Sequence, residues 1–208
     1  MSGSQVILST NAEVVAFAKT AGSVFDGSIL IREAVTSLQS LENLTQVGGY
    51  FQIGDLGYNT QLESLDGLQQ LASIGGDLQI GGFGAAVPPE LSLVALEGLN
   101  YVGGRLFIEN TALPSLDGLE NLNSIGGDLV LTSNTKLTSI ADLKSVTSIG
   151  GTLTIKNSER LTSLDGLEGL VSVVEDVDID QAQALASLDG LKNLKTVDGN
   201  LKIGSQLL

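Results

Sequence analysis

Carboxylates are the most abundant chemistry-bearing groups in this chain, and their spacing limits what they can do. Asp66, Asp117, Asp165 and Asp189 each precede a glycine in repeated Asp-Gly-Leu corners. Such a ladder invites a metal reading, but a carboxylate in a tight corner can accept backbone N–H bonds, so turn chemistry accounts for the series. The run Glu175-Asp176-Val177-Asp178-Ile179-Asp180 places Asp176, Asp178 and Asp180 on one face of a strand. An EF-hand loop would need Gly where Gln181 stands and Glu where Ser187 stands, so only weak calcium binding across that face remains. Arg105 falls between Asp77 and Asp128 at matching places in neighbouring segments, the pattern of a cross-strand charge ladder or of a ligand-orienting cation. Gly82-Phe83-Gly84 lacks the third small residue of a dinucleotide loop, and Pro88-Pro89 forbids the helix that would follow. With no His and no Cys there is neither an imidazole base nor a thiolate. We therefore expect no catalytic residue, no cofactor and no resident metal.

A net charge of −14 repels phosphate backbones, which argues against a nucleic-acid partner. No apolar run reaches the ~20 residues of a membrane span. The opening Met1-Ser2-Gly3-Ser4 has no leader pattern. Asn43-Leu44-Thr45 is a sequon, a glycosylation candidate consistent with a secreted origin.

What must position these groups is a repeat. The template I-G-G-x-L-x-I-x-N-x-x-x-L-x-S-L-D-G-L, clearest over Ser148–Leu167, returns along the chain. Its strand motif occurs at Gly27–Ile31, Gly49–Ile53, Gly76–Ile80, Gly104–Ile108, Gly127–Leu131, Gly151–Ile155, Glu175–Ile179 and Gly199–Ile203, stepping by 22 to 28 residues. That step is too short for a helical crossover and suits one turn of a parallel coil; eight turns at ~4.8 Å would give a rod on the order of 40 Å. Aromatics are only 4% of the chain, which fits an interior of stacked aliphatics. The period of two puts Leu153 and Ile155 inside and Thr152 and Thr154 outside. The glycine pairs before the strand, as at Gly126-Gly127 and Gly150-Gly151, are expected to turn with positive φ. Asn110, Asn134 and Asn157 are expected at the corner after it, and Leu167, Leu170 and Val173 on the third side. Before the repeats, the apolar run Val6–Leu8 is followed by Thr10-Asn11-Ala12-Glu13 and a helical pattern of Val14, Val15, Phe17 and Ala18 ending at Gly22. We expect a helix over about Asn11 to Ala21 that caps the first coil. A single domain results: residues 1–25 as N-terminal strand and capping helix, 26–208 as repeats.

The combination LTSLDGLEGL, IGGDLxI and IGGTLTIKN resembles the receptor L domain. This is the leucine-rich right-handed β-helix of insulin- and epidermal-growth-factor-type receptors, here closest in texture to fungal cell-wall and microbial surface members. The resemblance implies an all-β solenoid, a right-handed parallel β-helix of about eight turns with an N-terminal capping α-helix, set outside the cell or on its surface. It also implies recognition on the broad strand face. Having no Cys, the chain lacks the receptors' end-capping disulfides, and no family ligand residue maps onto it.

On that face the middle outward column reads Leu30, Gln52, Gln79, Phe107, Val130, Thr154, Asp178, Lys202, with Phe107 and Val130 expected to stand exposed beside Tyr50. Two long corner loops, GDLGYNTQ with Tyr58 and GGFGAAVPPE with Phe83 and Val87, should emerge side by side. We therefore expect a non-enzymatic recognition or adhesion module binding a protein or glycan through Tyr50, Gln52, Tyr58, Gln79, Phe83, Arg105, Phe107 and Val130. Gly204-Ser205-Gln206-Leu207-Leu208 offers no cap, which would leave a parallel edge open and makes end-to-end self-association the competing reading. A polysaccharide-active β-helix enzyme is the third.

Overall fold

The computed structural model describes residues 4–54, 62, 64–81 and 91–204. It is built of strands in two parallel sheets with one α-helix. The broad sheet has nine strands: Gln5–Thr10, Ser28–Ala34, Phe51–Ile53, Leu78–Gly81, Leu106–Glu109, Leu129–Thr132, Leu153–Lys156, Val177–Asp180 and Leu201–Ile203. All eight expected strand motifs lie in it, and Gln5–Thr10 adds one edge strand that pairs with Ser28–Ala34. The narrow sheet has eight two-residue strands, from Val24–Phe25 to Thr196–Val197. Chain order alternates between the sheets, so each repeat supplies one strand to each.

Register repeats without slippage along the later strands. Leu78, Leu106, Leu129, Leu153 and Val177 stack in one inward column, and Ile80, Ile108, Leu131, Ile155 and Ile179 in the next. All are buried. Leu65, Leu116, Leu164, Leu167, Leu170 and Val173 are buried as well. Each such side chain contributes roughly 1.5–3 kcal/mol on leaving water. Stacking identical aliphatics lets every repeat use the same interior.

The glycine pairs owe their presence to space, which corrects the expectation of positive φ. Neither glycine of Gly75-Gly76, Gly103-Gly104, Gly126-Gly127 or Gly150-Gly151 has positive φ. A Cβ on Gly126 would lie 2.2 Å from the Gly103 carbonyl oxygen, and one on Gly150 would meet Gly126 in the same way. Positive φ falls instead one residue after the broad-sheet strands, at Gly54, Asn110, Ser133, Asn157, Gln181 and Gly204, and at Gly81, the last residue of its own strand. Asn134 is therefore not the corner residue it was expected to be. It is buried, its Oδ1 accepting from the Thr111 N–H (3.2 Å) and hydroxyl (2.8 Å) while its Nδ2 donates to the Ile108 carbonyl (2.8 Å).

Successive repeats are not equivalent. Short 3-10 helices at Gln39–Leu41, Val94–Leu96, Ala141–Leu143 and Asp189–Leu191 alternate with corners in which Gly67, Gly118 and Gly166 have φ of 110°, 113° and 109°. A Cβ on these three glycines would strike the Leu38, Leu93 and Ile140 carbonyls, each the residue leading into a 3-10 helix one repeat earlier. The identical segment SLDGL takes the glycine corner at 163–167 and the 3-10 form at 187–191, so stacking selects the conformation and local sequence does not.

The helix spans Asn11–Ala21, as the sequence predicts. Its N-terminus is a capping box: the Glu13 N–H donates to Thr10 Oγ1 (3.3 Å), and the Thr10 N–H donates to Glu13 Oε2 (3.0 Å). Val14 is buried over the first repeat and Phe17 meets Phe25 edge-on at 5.0 Å, while Val15 faces solvent.

Candidate functional site

The strand period of two and the parallel register together build the broad sheet's outer face. In its middle column Gln52 lies beside Gln79, Gln79 beside Phe107, Phe107 beside Val130, and Val130 beside Thr154. The order matches the sequence reading, but exposure does not. Phe107 and Val130 are half-buried and Leu30 is fully buried, because neighbouring side chains in a close-packed column cover one another's flanks. Tyr50 does not reach Phe107 either. Its hydroxyl accepts a hydrogen bond from Gln5 Nε2, drawing it toward the edge strand. Tyr58, Phe83 and Val87 lie outside the described residues.

Tyr50, Gln52, Asp77 and Gln79 line a groove of about 190 Å³ floored by the buried Phe51. Gln52 Nε2 donates to the Gly54 carbonyl at 3.0 Å, which orients its amide. Arg105, next along the flanking column, is held to Asp77. Its Nε and a terminal nitrogen donate to Oδ2 at 3.2 and 3.0 Å, and its backbone N–H donates to Oδ1 at 2.8 Å. Asp128 accepts the Thr152 N–H one repeat further on, and Asp176 the Asn200 N–H. Ser28 does the same for Tyr50. These acceptors occur in every second repeat, so the column is a backbone clamp with the Arg105–Asp77 ion pair set in it. With both partners well exposed, the Arg105–Asp77 pair contributes no more than about 1 kcal/mol.

Two of the three calcium candidates, Asp178 and Asp180, are engaged by lysines of the same chain, and the third, Asp176, accepts from Asn200. Asp178 pairs with Lys156 and, at 3.5 Å, with Lys202, and Lys202 also donates to Asp180 at 3.3 Å. The hydrogen bond to Asp180, followed by the charges of Asp178 and Asp180, raises the Lys202 pKa above its ordinary value.

At the Asp-Gly corners the serine makes the turn bond that the sequence reading gave to the aspartate. Ser64, Ser115, Ser163 and Ser187 hydroxyls accept the N–H groups of Asp66, Asp117, Asp165 and Asp189. The next N–H, from Gly67, Gly118 or Gly166, goes to the side chain of Gln69, Glu120 or Glu168. One consequence was hidden in the linear reading: Asp117, Glu120 and Asp142 bring one carboxylate oxygen each within 4.8 Å. Asp142 reaches in from the following repeat, where it occupies the place Gly118 holds in its own, and it accepts the Leu116 N–H at 3.0 Å. The hydrogen bond with Glu120 raises the Asp117 pKa, with burial and the two neighbouring charges adding to it.

Asn43 is exposed after the first 3-10 helix, and the hydroxyl of Thr45 in its sequon donates to the Ser23 carbonyl at 2.9 Å. At the last repeats, Leu188, Leu201 and Ile203 are 42%, 60% and 38% exposed, and Leu188 and Ile203 border a hollow of about 320 Å³ with Ile179, Ala182 and Leu185. Among the described residues no helix is long and apolar enough to cross a membrane.

Comparisons with protein families, with curated proteins and with solved structures find no match.

Proposed function

We propose that the chain winds as a right-handed parallel β-helix of about eight turns, of receptor L-domain type, and serves as a non-enzymatic recognition module outside the cell or on its surface. The ligand, a protein or glycan, seats on the broad strand face. The observation that carries this reading is the groove formed by Tyr50, Gln52, Asp77 and Gln79, with the Arg105–Asp77 pair and Phe107 along its border. Rigid strands present these side chains at fixed spacing, the arrangement a binding face requires. The test is capture on an array of glycans and cell-surface ectodomains, comparing the protein with a Gln52→Ala/Gln79→Ala variant. Capture lost in the variant at unchanged melting temperature supports the reading. Equal capture by both, or turnover of a polysaccharide in place of retention, refutes it.

The exposed Leu188, Leu201 and Ile203 favour a second reading, end-to-end self-association, in which another copy covers the apolar side chains of the last described repeats. Sedimentation that shows only monomer at high concentration would remove it.

A further inference from the structure

Resting on the recognition reading above, we infer that the groove takes an uncharged sugar, so that the ligand is a neutral glycan and not an acidic glycan or a protein. Charge is the first ground. Two cations stand near the groove: Arg105, whose guanidinium is already bonded twice to Asp77, and Arg32, on the strand paired with that of Gln52, which is also partnered. An anionic ligand would have to compete with those partners inside the field of a chain of net charge −14.

Size and polarity are the second. Stable protein interfaces bury on the order of 1,200–2,000 Å². Here Phe107 and Val130 are half-buried, and of the exposed large apolar residues among those described only Ile7 stands in this column, two strands from Gln52 and outside the groove's lining. A groove of about 190 Å³ suits a ring-sized group.

Donor and acceptor chemistry is the third. Gln52 and Gln79 stand one strand apart, roughly 4.8 Å, each with a planar amide. Gln52 keeps its Oε1 as an acceptor because its Nε2 is committed to Gly54. Asp77 adds a carboxylate, and Tyr50 an aromatic ring whose hydroxyl accepts from Gln5 and keeps its own proton to donate. Neighbouring sugar hydroxyls both donate and accept, and the C–H face of the ring lies well against an aromatic, so this set matches a neutral polyol on every side.

The experiment titrates the intact protein with three probe classes: neutral hexose and N-acetylhexosamine oligosaccharides, uronate-bearing or sulfated oligosaccharides, and the ectodomains of the array. Binding of a neutral oligosaccharide is expected to weaken at least ~10-fold in Gln79→Ala and to change little between about 0.05 and 0.5 M salt. Failure of every neutral oligosaccharide to bind overturns the inference. Binding of an acidic glycan or an ectodomain that is lost in Gln79→Ala overturns it while leaving recognition on this face standing. Neutral-sugar binding that Gln79→Ala and Gln52→Ala leave unchanged overturns both.

Discussion

Asn134→Ala isolates the energetic worth of a polar bracket inside an otherwise aliphatic stack. The native amide serves three groups, the Thr111 N–H and hydroxyl and the Ile108 carbonyl, at 3.2, 2.8 and 2.8 Å, and it is buried. Alanine leaves all three without that partner. An orphaned buried polar group costs about 1–3 kcal/mol, and the Thr111 hydroxyl can rotate to another acceptor, so the net loss works out at about 3 kcal/mol. Urea unfolding monitored by circular dichroism should show this as a lower midpoint at unchanged slope. Ser158→Ala is the control: that hydroxyl donates one 3.3 Å bond to the Lys156 carbonyl two residues back, and its removal should cost under about 1 kcal/mol. A Thr111→Val/Asn134→Ala cycle should return a coupling near 1 kcal/mol. An Asn134→Ala loss no larger than that of Ser158→Ala would refute the argument.

Gly126→Ala should destabilise more than Gly22→Ala, although only Gly22 has positive φ, because the first meets a carbonyl at 2.2 Å and the second meets nothing within 4 Å; paired thermal melts decide it. Asp117→Asn should alter the acid limb of stability. With its pKa raised in the folded state, Asp117 favours folding below its unfolded value and loses that contribution as pH rises through the folded one. The substitution should therefore flatten stability across the carboxylate range, read by melting temperature against pH, and an unchanged profile would count against the Asp117–Glu120 contact.

The sheets were legible because alternation marks the inward columns: Leu153 and Ile155 are apolar and their neighbours are not. The helix was legible from Thr10-Asn11-Ala12-Glu13 at its start, its apolar spacing and its terminal glycine, and the capping box came with the structure. Asn134 was misplaced through its offset. Asn110 and Asn157 follow the last inward strand residue by two positions, whereas Asn134 follows Leu131 by three, aligning with Thr111 and Ser158 inside. That difference is countable in the sequence. The two conformations of SLDGL are not, since the five letters are the same and the neighbour below decides. The groove was half visible: register alone aligned Gln52 with Gln79, but the Gln5 bond that draws Tyr50 away and the Asp142 that reaches Asp117 depend on side chains two or more elements apart in space.

The alternation between 3-10 and glycine corners gives the stack a parity. Acceptors at Ser28, Asp77, Asp128 and Asp176 obey the same even–odd rule as the corners, so the true period is a couple of repeats. Excising one repeat would set like against like at the junction, with a 3-10 helix above a 3-10 helix or two donors facing each other. Excising two neighbours would restore phase. Growth or shortening of such a chain, by duplication in nature or by splicing in the laboratory, should therefore proceed in pairs.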